Sequence, residues 1–92
     1  MDELQTPAAA GGEVLREIRR VLRDELGLKR DARPEDDLVA DLQLDSVGLL
    51  TLVVGLEDRF RVALKEEDAA AVRTVGDLAA LVLRRREEAR AC

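Results

Sequence analysis

Asp45-Ser46-Val47-Gly48-Leu49-Leu50-Thr51-Leu52-Val53-Val54-Gly55-Leu56-Glu57-Asp58-Arg59-Phe60 is the stretch on which the fold turns. At about 100° per residue, Leu49, Leu52, Val53, Leu56 and Phe60 gather on one side of a helix. That side is a core face, so Leu49, Val53, Leu56 and Phe60 are expected to pack on the first and last helices. Asp45 has the side chain of an N-cap, and the helix runs from Ser46 to about Arg61. The opposite side carries Val47, Gly48, Thr51, Val54, Gly55 and Asp58. It is small and apolar, with a single formal charge.

Upstream, Val14, Ile18, Val21, Leu22 and Leu26 repeat at helical spacing from Glu13 onward, and Gly27 stands where a left-handed C-cap would close that helix. Residues 1–12, with Pro7, three alanines and two glycines, show no apolar period and read as a flexible tail. Between Leu28 and Asp45 lies a connection long enough to be functional, with Leu38, Leu42 and Leu44 holding it to the core. Downstream, acids at Glu66 to Asp68 suit a short helical turn. Thr74 and Asp77 form a capping-box pair opening a last helix, whose apolar face is Val75, Leu78, Ala79 and Val82. No strand period is present. The expected architecture is all-α: a small bundle of three longer helices and one short one. A domain over 13–86 follows, with residues 87–92 as a C-terminal tail.

Composition narrows the chemistry. The 92 residues are 47% hydrophobic and 38% charged, a globular balance for one domain. No apolar run reaches the ~18 residues of a membrane span, and residues 1–12 lack the basic and apolar parts of a signal peptide. A cytoplasmic protein is expected. Histidine is absent and the one cysteine is Cys92. Ser-His and Cys-His pairs, histidine or cysteine metal sites and internal disulfides fall together. One aromatic residue, Phe60, leaves nothing to stack bases on, and the net charge of −5 disfavours nucleic acid. Residues 31–58 hold eight acids against Arg33, which predicts a basic partner there.

The remaining catalytic option is a carboxylate pair such as Asp36 and Asp41, but acid–base work needs a pocket that so small a domain rarely encloses. The acids also miss the spacing of a calcium loop, so no metal is expected. Cys92 has no activating neighbour, and Arg84, Arg85 and Arg86 read as a solvated helix end. Ser46 remains. Alone, Asp-Ser before a helix is ordinary capping.

The register around Ser46 says more. Asp37-Leu38-Val39-Ala40-Asp41-Leu42-Gln43-Leu44-Asp45-Ser46-Val47 resembles the modification site of acyl carrier proteins, whose serine lies in a Leu-Gly-x-Asp-Ser-Leu-like motif at the start of the second helix. The resemblance continues without a gap through Leu56-Glu57-Asp58-Arg59-Phe60, Leu64, Val72 and Thr74-Val75, covering residues 13 to 83. It implies a carrier rather than an enzyme. Ser46 would bear a 4'-phosphopantetheine arm transferred from coenzyme A by a phosphopantetheinyl transferase. Asp45 would help the transferase hold the site, and an acyl or aminoacyl group would ride on the arm as a thioester. A phosphodiester at a helix N-terminus meets unpaired N–H groups and the positive dipole end.

Departures from the family pattern are informative. Gln43 replaces the usual glycine, Gly48 and Thr51 stand where fatty-acid carriers show acids, and Arg59 replaces another. Asp rather than His before Ser46 resembles acyl more than peptidyl carriers. Gly48 and Gly55, seven residues apart, admit two readings: tolerated drift, or close approach of a partner helix. The expected function is a discrete, monomeric carrier for a dedicated pathway, docking its loading enzyme through Val47, Gly48, Thr51, Val54, Gly55 and Asp58. The alternatives are the housekeeping fatty-acid carrier and an unmodified helical adaptor.

Overall fold

The computed structural model describes the backbone of residues 6–91 and the side chains of residues 12–89; Cys92 lies outside the described residues. Four helices follow one another: α1 Thr6–Asp24, α2 Ser46–Phe60, α3 Glu66–Ala71 and α4 Val75–Ala91. The described residues contain no strand; an isolated bridge joins Asp37 to Thr74. The all-α expectation holds, with one short helix among three longer ones.

Two helices extend past the sequence reading. α1 begins at Thr6, inside the stretch read as a tail. Pro7 is tolerated in a first turn, and Ala8, Ala9 and Ala10 are the strongest helix formers, so helix forms there without an apolar stripe. α4 continues through residues 87–91, where Arg85 donates to Glu88 at 2.7 Å one turn ahead. At the other end of α1, Gly27 takes φ +75° and Leu28 N–H returns to the Leu22 carbonyl at 2.8 Å, the left-handed closure expected.

The core gathers Val14, Ile18, Val21 and Leu22 of α1, Leu52, Leu56 and Phe60 of α2, and Val75, Leu78 and Val82 of α4. α1 packs on both α4 and α2. Leu49 and Val53, expected fully inside, are half-buried instead. They face α3, which is too short to cover them. The Phe60 ring lies under the guanidinium groups of Arg59 and Arg86, at 5.1 and 5.3 Å. The arginines read as a solvated helix end therefore have work in the fold. Arg86 reaches Glu13 at 3.1 Å and Arg85 reaches Asp68 at 2.7 Å, while Arg84 is exposed.

The long connection is held by its polar groups as much as by Leu38 and Leu42. Asp36 is buried, receives both arms of Arg30 at 2.9 and 3.3 Å, and accepts the Arg33 N–H at 2.7 Å. The Arg30 hydrogen bond first, then the Arg33 N–H, hold its carboxyl at about 2, below the usual carboxylate range. Its carbonyl accepts Val75 N–H at 3.0 Å, and Pro34 accepts Gly76 N–H at 2.8 Å. A Cβ on Gly76 would stand 3.1 Å from the Pro34 oxygen, so glycine permits this approach. Leu38 N–H completes the seam on the Arg73 carbonyl at 2.9 Å. The connection is thereby fastened to the N-terminus of α4.

Candidate functional site

The fastened connection delivers its last residues to the start of α2. Asp45 has extended backbone and its Oδ1 accepts the Gly48 N–H at 2.8 Å, while its carbonyl accepts the first helical bond, from Leu49 at 2.9 Å. Capping thus falls to Asp45 and not to Ser46. Ser46 is the first helical residue and is exposed. Among the described residues its hydroxyl has no hydrogen-bond partner, and it stands where the dipole of α2 favours negative charge.

From Ser46 an open groove of about 410 Å³ runs between α2 and α3, with Leu49, Leu50, Val53 and Ala69 along it and Lys65 and Glu66 at its far side. Leu49, Val53 and Ala69 also line a more enclosed cavity of about 170 Å³, roofed by Leu38 and Val39 of the connection and floored by Leu52 and Leu78. Glu57 fixes the end of the groove by accepting the Leu64 N–H at 2.8 Å. Asp36 and Asp41, considered as a catalytic pair, do separate jobs: Asp36 is clamped by Arg30, and Asp41 accepts the Asp37 N–H at 2.7 Å.

The outward side of α2 differs from the stripe read in the sequence. Val47 is 70% exposed and Val54 51%, and Asp58 is exposed, all as expected. Thr51 is half-buried, its hydroxyl donating to the Val47 carbonyl at 2.9 Å. Gly48 is buried: a Cβ there would stand 3.4 Å from the Asp45 carboxylate and 3.6 Å from Leu44. A Cβ on Gly55 would stand 3.4 Å from Val21 of α1. Gly48 is thus recessed beneath the outward side of α2, and Gly55 is half-buried beside α1. In their place stands Leu50, 62% exposed. The signal was present: Leu50 lies only about 60° round the helix from Val47, whereas Gly48 and Gly55 lie about 80–100° round on the other side.

Residues 16–82 match the family described as "Phosphopantetheine attachment site". The chain is 32% identical over 82 residues to the meromycolate extension acyl carrier protein of Mycolicibacterium aurum, an alignment covering 88% of this chain and 84% of that one. The chain belongs to the acyl carrier protein family. An acyl carrier protein of Kineococcus radiotolerans is 35% identical over 75 residues, covering 80% of this chain and 93% of the relative. The crystal structure of the Thermotoga maritima acyl carrier protein superposes with a TM-score of 0.78 at 22% identity, covering 90% of this chain and 98% of that one, and shows the shared fold. An acyl carrier protein is a carrier and not an enzyme, and its prosthetic group is phosphopantetheine. The family frame also explains position 43. Gln43 has φ +58°, a left-handed conformation, where the resembled motif has glycine.

Proposed function

We propose that this chain is a discrete carrier of a dedicated biosynthetic pathway, with the 4'-phosphopantetheine arm on Ser46. The observation that carries this reading is the exposed Ser46 side chain at the start of α2, with the helix already capped by Asp45 and an apolar groove leading away from it. The residues fit the group. Gly48 N–H is engaged by Asp45, while the N–H groups of Ser46 and Val47 belong to the first turn, which has no intrahelical acceptors, and can face a phosphodiester. When bound, the arm supplies a thiol that holds cargo as a thioester.

Leu49, Leu52, Val53 and Leu78 line a cavity of about the volume that admits a benzene-sized apolar group. That lining favours acyl over aminoacyl cargo. A relative named for meromycolate extension supports a specialised lipid pathway over general fatty-acid synthesis. The sparse charge on outer α2 supports the same choice. The partners are a phosphopantetheinyl transferase, a loading enzyme and downstream enzymes of that pathway, met by a cytoplasmic monomer. No helix of the described residues is long and apolar enough to cross a membrane.

Incubation with coenzyme A and a broad-specificity transferase, followed by intact-mass measurement and peptide mapping, tests the assignment. A pantetheinyl-sized gain on Ser46 is expected. A protein that gains no mass, or gains it elsewhere, overturns it.

A further inference from the structure

The groove that starts at Ser46 and the enclosed cavity share Leu49, Val53 and Ala69 as walls, so the two spaces meet between α2 and α3. An amine stands at that junction. Of the two lysines in the sequence, Lys65 lines the groove, whereas Lys29 lies on the connection and lines neither space. Lys65 is exposed, and its backbone is fixed one turn ahead of Ala69. Its carbonyl accepts the Ala69 N–H at 3.0 Å, and its own N–H donates to Asp68 at 3.3 Å. From there a flexible four-carbon stem lets the amine swing over Ala69 to the cavity mouth. The lining of both spaces holds no histidine and no cysteine, and Arg73 beside the cavity is a guanidinium that keeps its proton.

We infer that Lys65 is a self-acylation site, to which cargo passes from the thioester and stays as an amide. The inference rests on the carrier reading above and follows from reach. Roughly fourteen bonds separate the Ser46 oxygen from the sulfur of a 4'-phosphopantetheine arm, about 16 Å at the ~3.5 Å that three backbone bonds span. Val53 lies two turns along α2 from Ser46, about 10 Å, so the sulfur reaches the junction with length to spare. Cargo in the cavity then leaves its carbonyl carbon beside Lys65. The neutral amine attacks that carbon, a C–N bond forms and the C–S bond breaks. The sulfur departs with the electron pair and takes up the proton that the nitrogen gives up, so no oxidant, metal or further co-reactant enters. Tethering holds the thioester at an effective concentration on the order of millimolar, which a lysine elsewhere on the surface does not meet. The arm is left as a free thiol that can be charged again, while the acyl amide remains at the mouth of the cavity.

The test loads the full chain at Ser46 with a broad-specificity phosphopantetheinyl transferase and hexanoyl-coenzyme A, removes both, and incubates the product at mildly alkaline pH. Hydroxylamine then strips thioesters and leaves amides, and intact mass with peptide mapping reads what remains. A resistant hexanoyl group on Lys65 is expected, formed with a rate constant independent of protein concentration. Lys65→Arg, which keeps the charge, should lower the resistant product at least about tenfold, and Lys29→Arg should leave it within about twofold. Ser46→Ala mixed with hexanoyl-coenzyme A at equal concentration should acylate Lys65 at least about tenfold more slowly, because the thioester is then untethered. No resistant acyl group, an equal share on Lys29, or a rate constant that rises with protein concentration overturns the inference while the carrier reading stands. If the unaltered chain gains no mass from the transferase, the carrier reading falls and takes this inference with it.

Discussion

Gln43 and Arg61 bracket α2 in the same left-handed conformation, at φ 58° and 57°. One lies two residues before the cap; the other closes the helix, with the Val62 N–H returning to the Glu57 carbonyl at 3.2 Å. Neither is glycine, and for an L-residue this conformation costs about 1–2 kcal/mol.

Gln43→Gly and Arg61→Gly should therefore each stabilise the protein. Glycine removes the steric cost and adds about 0.5–1 kcal/mol of unfolded-state entropy, leaving a net gain of about 0.5–1 kcal/mol. Denaturant midpoints with unchanged slope are the check.

Two helical glycines should respond in opposite directions. Gly55→Ala meets Val21 at ordinary contact distance, 3.4 Å, and should gain up to about 1 kcal/mol of helix propensity. Gly76→Ala drives a methyl to 3.1 Å from the Pro34 carbonyl, a clash costing about 1–3 kcal/mol that outweighs the same propensity gain. Thermal melts of the pair should move apart; a rise in both would mean the Pro34–Gly76 approach is soft.

Phe60→Ala should cost about 3–5 kcal/mol, because it empties a buried site and removes the ring under Arg59 and Arg86. Phe60→Leu should recover most of the loss. Chemical denaturation distinguishes the two.

Stability should be flat from about pH 5 to pH 8, since the chain has no histidine to titrate there. Below that range it should fall. Asp36 is held at about 2 by Arg30 and the Arg33 N–H, Asp37 is lowered by the Ala40 and Val39 N–H groups, and Asp68 by Arg85. Unfolded carboxylates titrate near ~3.9, so the unfolded chain binds more protons between that value and the folded ones. The stabilisation is complete above the unfolded value and is lost as pH drops toward 2. Asp36→Asn should remove the steepest part of this acid limb, seen in melts taken from pH 7 to pH 2.

Ser46→Ala should fold normally, within about 1 kcal/mol, since Asp45 keeps the cap. It should gain no pantetheinyl mass. Modification of this variant would remove Ser46 from the proposal.

Much of this was legible in the residues because it depends on local rules. Thr74 and Asp77 cap each other as their spacing required, with Asp77 N–H on Thr74 Oγ1 at 3.0 Å and Thr74 N–H on the Asp77 carboxylate at 3.2 Å. Gly27 closes α1, and Leu52, Leu56 and Phe60 face inward as their period demanded. What could not be read depends on distant partners. Nothing near Gly55 in sequence says that Val21 lies beside it, and nothing near Gly76 announces Pro34. The same holds for the half-burial of Leu49 and Val53, which depends on how little α3 covers.

The seam between the connection and α4 has a consequence for synthesis. All of α2 has been translated once Phe60 is added, yet the residues that hold its approach in place, Arg73, Val75 and Gly76, come later in the chain. A nascent polypeptide holding only the first two long helices has the serine but lacks its frame. Chains emerge at roughly 5–20 residues per second and domains fold as units, so Ser46 takes its folded position only after the last helix begins to leave the ribosome. The order of translation thus completes the frame around Ser46 last.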